Sequence, residues 1–154
     1  MKTLQPKTRD ALLQIAKWQE GVMESPANSN RQKYGEAYGW NGVAWCVIFV
    51  WWCFREAGFN LRKTASCTEL ANAYKKVGQW VTEDFKPGDI VMFDFSGKKK
   101  ITEHCGIVQE VHPGYLICTE GNTSPTNNAN GGTVMDRERK LNVVTGACRP
   151  NFNM

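Results

Sequence analysis

The stretch AWCVIFVWWCF, residues 44–54, constrains the fold more than any other part of the chain. It holds three tryptophans, two cysteines seven positions apart and no charge. An apolar run of this length is too long for an ordinary strand and fits a helix, here over residues 43–57 with Gly58 as its stop. The run is apolar on every side for three turns, so the helix has no face to give to water and belongs in the middle of a domain. It falls short of the roughly 18 residues that a membrane span needs. Other elements must therefore enclose it.

The remainder of the sequence supplies those elements. A helix is expected over residues 7–21, where Leu12, Ile15 and Gln19, with Ala11 and Trp18 beside them, form a weak stripe and Gly21 is a stop signal. Residues 24–42 are rich in Gly, Asn, Ser and Pro and read as loop. A third helix is expected over residues 67–77, opened by the capping-box pattern Ser66-Cys67-Thr68-Glu69 and closed by Gly78. After Trp80 the pattern changes to strands: residues 90–95, 103–111, 115–120, 133–139 and 141–148. Lys86-Pro87-Gly88-Asp89 and His112-Pro113-Gly114 are turn chemistry between them. Helices first and antiparallel strands second define an α+β domain with about five strands and one core between the layers. No repeat or linker divides residues 1–154, so a single domain is expected.

Charge and cysteine content exclude several classes. The net charge of +4 is too weak to indicate nucleic acid. Lys98-Lys99-Lys100 is the densest basic run and reads as a solvated loop tip or as an attraction to an anionic polymer. The opening MKTLQPKTRDALLQ lacks the apolar core of a secretory signal. Without such a signal the six cysteines are expected as reduced thiols. No C-x-x-C pair supports a zinc ribbon or a thioredoxin-like motif. No metal and no cofactor are expected.

A reactive thiol needs a lowered pKa, a base within reach and a group that orients the base. Cys46 stands near the start of the apolar helix, where the helix dipole favours thiolate. Cys53 lies near its end, roughly 10 Å further along the axis, where the dipole favours the neutral thiol. The chain has only two histidines. His112 belongs to a turn. His104 heads the strand HCGIVQEV, and Cys105 beside it must point to the opposite face. The next strand returns across the HPG turn and brings Glu120 to within a residue or two of His104. Glu120 and Asn122 can each accept from the imidazole and so fix its tautomer.

Four segments carry a resemblance to a known family. They are Trp45-Cys46 with Phe49, Val50, Trp52 and Gly58; Pro87-Gly88-Asp89-Ile90-Val91 with Phe93; His104-x-Gly106-Ile107-Val108; and Glu120-Gly121-Asn122-Thr123. In this order the chain resembles a CHAP domain over about residues 20–150. CHAP is the cysteine- and histidine-dependent amidohydrolase/peptidase branch of the papain-like NlpC/P60 superfamily. The resemblance implies a papain-like fold, a nucleophile at Cys46, a base at His104 and supporting groups at Glu120 and Asn122. It implies bacterial peptidoglycan as substrate, cut at the muramoyl–L-alanine amide or within the stem or cross-bridge. It also implies a phage endolysin style of enzyme, made without a signal peptide in the cytoplasm and released to the wall through a holin.

Some relatives carry an acidic calcium loop before the nucleophile. Here residues 28–41 hold Glu36 as their one carboxylate, too few for an oxygen cage, so no calcium site is expected. No wall-binding module is expected after Pro150. Trp40, Trp45, Tyr38 and Asn41 are candidates for the walls of a groove for sugar or peptide, or for core and loop packing. The expected chain is a monomer that neither inserts in membranes nor binds nucleic acid. Two alternatives stand beside the wall hydrolase. One is the same chemistry in an antibacterial effector toxin or on a non-wall amide; the other is a non-enzymatic wall-binding or metal-binding module.

Overall fold

The apolar run forms α3 (Cys46–Glu56) in the computed structural model, which describes residues 7–152. Val47, Ile48, Phe49, Val50, Cys53 and Phe54 are all essentially inaccessible to water. Full burial of each large apolar side chain stabilises the fold by roughly 1.5–3 kcal/mol. Three further helices accompany it: α1 (Arg9–Trp18), α2 (Lys33–Tyr38) and α4 (Cys67–Lys76). The strands are β1 (Trp80–Val81), β2 (Ile90–Phe93), β3 (His104–His112), β4 (Tyr115–Thr123), β5 (Thr133–Lys140) and β6 (Val144–Cys148). They form one antiparallel sheet in the order β1-β6-β2-β3-β4-β5. The α+β expectation holds, and the sheet has one strand more than the sequence suggests. The addition is β1, whose two residues pair with the end of β6.

Each sheet face has its own apolar cluster. On the helix side, α3 packs with Ile90, Met92, Cys105 and Ile107. Gly121 sets how close this packing is, since a Cβ there would stand 2.6 Å from Phe49 Cβ. On the other side, Val91, Phe93, Val108, Leu116 and Cys118 are covered by Phe85, Phe95, Leu141 and Val143 from strand ends and loops.

Local chemistry explains the helix boundaries. Thr8 caps α1 by accepting from the Ala11 N–H, and Ser66 caps α4 by accepting from the Glu69 N–H. The capping box at α4 is only half made, because Glu69 turns to Arg62 and the Ser66 N–H donates to Thr64 Oγ1. The expected stripe on α1 is shifted: Ala11, Leu12 and Ala16 are buried while Trp18 is 60% exposed. Helix α2 lies in a segment read from sequence as loop. Its six residues include Gly35, and the Gln32 side chain supplies the cap by accepting from the Gly35 N–H. Packing favours the helix over its poor propensity, because Tyr34 meets Phe49 and Trp52 edge-on with ring centroids 5.1 and 5.0 Å apart. The Tyr34 hydroxyl is satisfied by donating to Gln19 Oε1.

Candidate active site

Cys46 is the first residue of α3, preceded by Trp45 at the N-cap. Trp45 supplies no side-chain cap and the first turn holds no acidic residue, so the positive end of the helix faces the thiol without competition. Cys67 occupies the equivalent first position of α4, and the two sulfurs lie 3.8 Å apart. Cys105, from β3, completes a group of three sulfurs all within 4.8 Å of one another. All six cysteines are free and buried.

His104 precedes Cys105, and strand alternation sends the two to opposite faces. Cys105 joins the helix-side core. His104 stacks on Phe93 and meets Phe95 at a tilt, both of the other cluster. Cys46 interacts with both. The opposite-face expectation for Cys105 holds, yet at this strand end both side chains still reach the same helix terminus.

The His104 imidazole is wholly buried, and its Nε2–H donates to Glu120 Oε1 at 2.9 Å. Register explains this contact. From the HPG turn the pairs run His112 with Tyr115, Val111 with Leu116 and Glu110 with Ile117. Continued unchanged, that count would set Glu120 opposite Ile107, on the helix side. A bulge at Gln109 resets the pairing to Val108 with Cys118 and Ile107 with Thr119. Glu120 then falls opposite Gly106 and shares a face with His104. Gly106 keeps the path clear, since a Cβ there would meet Glu120 Cγ at 2.6 Å. Gln109 is pinned by donating to Leu13 O and Thr119 Oγ1.

Arg139 of β5 is the partner that sequence reasoning missed. Its Nε–H donates to Glu120 Oε2 at 2.8 Å, and a second donor reaches Glu120 Oε1. The guanidinium lies over the Phe93 and Phe95 rings. In the sequence it sits in the continuous charged run Asp136-Arg137-Glu138-Arg139-Lys140, which reads equally as a solvated strand.

Asn122 does not orient the imidazole through any hydrogen bond it makes. Its Oδ1 accepts from the Gly132 N–H, its amide donates to Asn130, and its backbone is left-handed with φ 60°. It fixes the loop between β4 and β5. Of the two acceptors expected for His104, Glu120 is the one in contact.

The electrostatics of the group are linked. Hydrogen bonding from Cys105 and Cys67, with help from His104, holds the Cys46 thiol well below its ordinary pKa against the opposing effect of burial. Burial disfavours the imidazolium, yet Cys46 and Glu120 together raise His104 from 6.5 to about 9. Both directions favour a thiolate on Cys46 facing an imidazolium on His104. His104 Nδ1, the nitrogen turned away from Glu120, is buried without a hydrogen-bond partner of good geometry. Catalytic contacts are often loose before substrate closes on them.

A cavity of about 400 Å³ is lined by Tyr38, Trp40, Val43, Ala44, Lys63, Thr64, Ala65, Ser66 and Glu69, so it takes in residues just before Cys46 and Cys67 in the chain but neither cysteine itself. Of the four groove candidates, Tyr38 and Trp40 line this cavity. Trp45 does not: it is fully buried, stacked on Tyr34, with its indole N–H directed to Glu24 Oε2. Asn41 clamps its own loop, accepting from the backbone N–H groups of Gln32 and Gly42.

The α+β fold thus brings a cysteine, a histidine and a glutamate together at one helix N-terminus. The CHAP domain family model matches residues 37–122, more than half of the chain, and the chain belongs to that family of amidases and peptidases. The crystal structure of Ly7917 is similar in fold, with a TM-score of 0.55 at 16% identity. The match covers 93% of this chain and 62% of that one. No curated protein matches the chain.

Proposed function

We propose that the protein hydrolyses an amide bond of bacterial peptidoglycan through an acyl-enzyme on Cys46. The observation that carries this reading is the placement of Cys46 on an uncapped helix N-terminus in contact with His104, itself oriented by Glu120. The Cys46 thiolate attacks the scissile carbonyl carbon, and the C–N bond breaks as His104 protonates the leaving amine. His104, now neutral, takes a proton from water, whose oxygen displaces the sulfur and releases the acid. The Cys46 backbone N–H, unclaimed by the helix, is the donor best placed for the oxyanion. Glu120 keeps the ring oriented and Arg139 keeps Glu120 in place.

The choice of peptidoglycan rests on the family and on the aromatic cavity lined by residues just before Cys46 and Cys67 in the chain. Tyr38 and Trp40 offer flat surfaces to a sugar or peptide, and Lys63 can meet a stem carboxylate. Endolysin-style lysis after holin release is the setting that agrees with this reading. Purified sacculi digested with wild type and with Cys46→Ala test it. Mass spectrometry of the wild-type digest is expected to show either a free muramic lactyl group, marking an amidase, or a new peptide amine, marking an endopeptidase. Cys46→Ala is expected to release neither. Sacculi left intact by wild type, or cut equally by the variant, would refute the proposal.

A further inference from the structure

Three sulfurs meet at the start of two helices, while the acyl-transfer scheme consumes only one of them. Cys46 and Cys67 are each the first residue of a helix, and Cys105 approaches from β3. We propose that Cys46, Cys67 and Cys105 form a three-thiolate site for a thiophilic divalent ion of the zinc type, and that the bound ion takes the nucleophile out of use. The regulatory half of this inference rests on the hydrolase reading; the site itself does not.

The geometry suits a tetrahedral ion. With zinc–sulfur bonds of about 2.3 Å, two ligands of a tetrahedron stand about 3.8 Å apart. The Cys46 and Cys67 sulfurs are already at 3.8 Å. The third sulfur lies within 4.8 Å of both, so a closure of about 1 Å completes three corners. His104 stands outside this group of close ligand atoms, so the fourth corner is left to water. Three thiolates around a divalent ion leave one net negative charge, and the N-termini of α3 and α4 both offset it. Cys67 and Cys105 bind by losing their protons to solvent, so ion uptake releases acid and involves no redox change. Cys46 and Cys67 each keep 8% exposure, and Ala44 and Ser66, close by in the chain, line the neighbouring cavity, which gives an ion a way in.

Cobalt(II) added to the reduced full chain, with a phosphine reductant present, tests the site directly. The expected result is one ion per chain with thiolate-to-cobalt charge-transfer bands, displaced by zinc. Cys67→Ser and Cys105→Ser, near-isosteric changes whose folding is checked by circular dichroism, are each expected to weaken binding about tenfold or more. Absent bands, or unchanged affinity in either variant, would overturn the site. Sacculus hydrolysis is then followed with zinc and with chelator. Zinc is expected to stop wild type reversibly and to do so less well in Cys67→Ser. Equal zinc sensitivity in both would overturn the regulatory half. Failure of the metal-free enzyme to cut sacculi would sink the hydrolase reading alone, since the cobalt spectra need no activity.

Discussion

Glu120 is a fully buried carboxylate that meets the Arg139 guanidinium on one side and the His104 ring on the other. Removing one partner of a buried pair leaves an uncompensated charge, which typically costs about 3–5 kcal/mol. Arg139→Met is therefore expected to lower unfolding free energy by about 3 kcal/mol in urea, the low end because His104 still faces Glu120. The double variant Arg139→Met/Glu120→Gln should recover much of that stability while hydrolysis stays impaired. The His104 shift also predicts a pH profile, measured with chelator present. Activity should be on its plateau below the ordinary thiol range, because Cys46 is held low. It should fall as pH rises through about 9, where His104 loses the proton that the leaving amine needs. Glu120→Gln removes one of the groups that raise His104, so the alkaline limb should move to lower pH. An unmoved limb would mean that Glu120 only fills space.

Among the elements, those with a strong period or cap were legible in the sequence. The apolar α3, the Ser66 cap of α4 and the strands flanking the HPG turn all follow from local patterns. Helix α2 was not, because its stability comes from Tyr34 packing on α3 rather than from its own residues. The Glu120 contact was half legible. A hairpin count places it near His104, but a single bulge residue decides which face it takes, and Gln109 carries no local mark of that role. Arg139 was hidden because its partner stands on the neighbouring strand four positions off the directly paired residue, a diagonal reach that no local pattern marks. The junction of α1 with β5 carries a prediction of its own. Glu20, just beyond α1, shares a proton-dependent contact with Asp136, which also accepts from Thr119 and pairs with Lys17. The hydrogen bond to Asp136, then burial and like charge, raise Glu20 from 4.5 to about 7, with Lys17 opposing. The folded state therefore holds a proton that the unfolded chain gives up. This contribution to stability is complete below 4.5 and disappears as pH rises to about 7. Thermal unfolding followed across that window should show a decline in wild type that Glu20→Gln reduces.

At the scale of the whole molecule, the net charge of +4 matters through where it sits. Asp94 accepts from the backbone of Ser96, Lys100 and Ile101 and so shapes the lysine loop. Thr102 then bonds Thr68 in the first turn of α4, at 2.8 Å, which brings the loop to the helix end that carries Cys67. Lys63 lines the adjacent cavity. Positive charge thus gathers near the start of α4, and on the proposed reading it would meet the carboxylates of peptidoglycan. Attraction between exposed charges is screened beyond about 10 Å at 0.1 M salt. It acts on encounter and binding, whereas interactions within the buried Cys46–His104–Glu120 group are screened much less by bulk salt. Added salt should therefore weaken pelleting with sacculi and raise KM while leaving kcat unchanged. Replacing Lys98, Lys99 and Lys100 by Gln should reproduce the high-salt behaviour at low salt without altering thermal stability, since all three side chains are exposed. If the triple variant binds sacculi as wild type does at low salt, the lysine run is solvated surface, and attraction to the wall must come from the cavity alone.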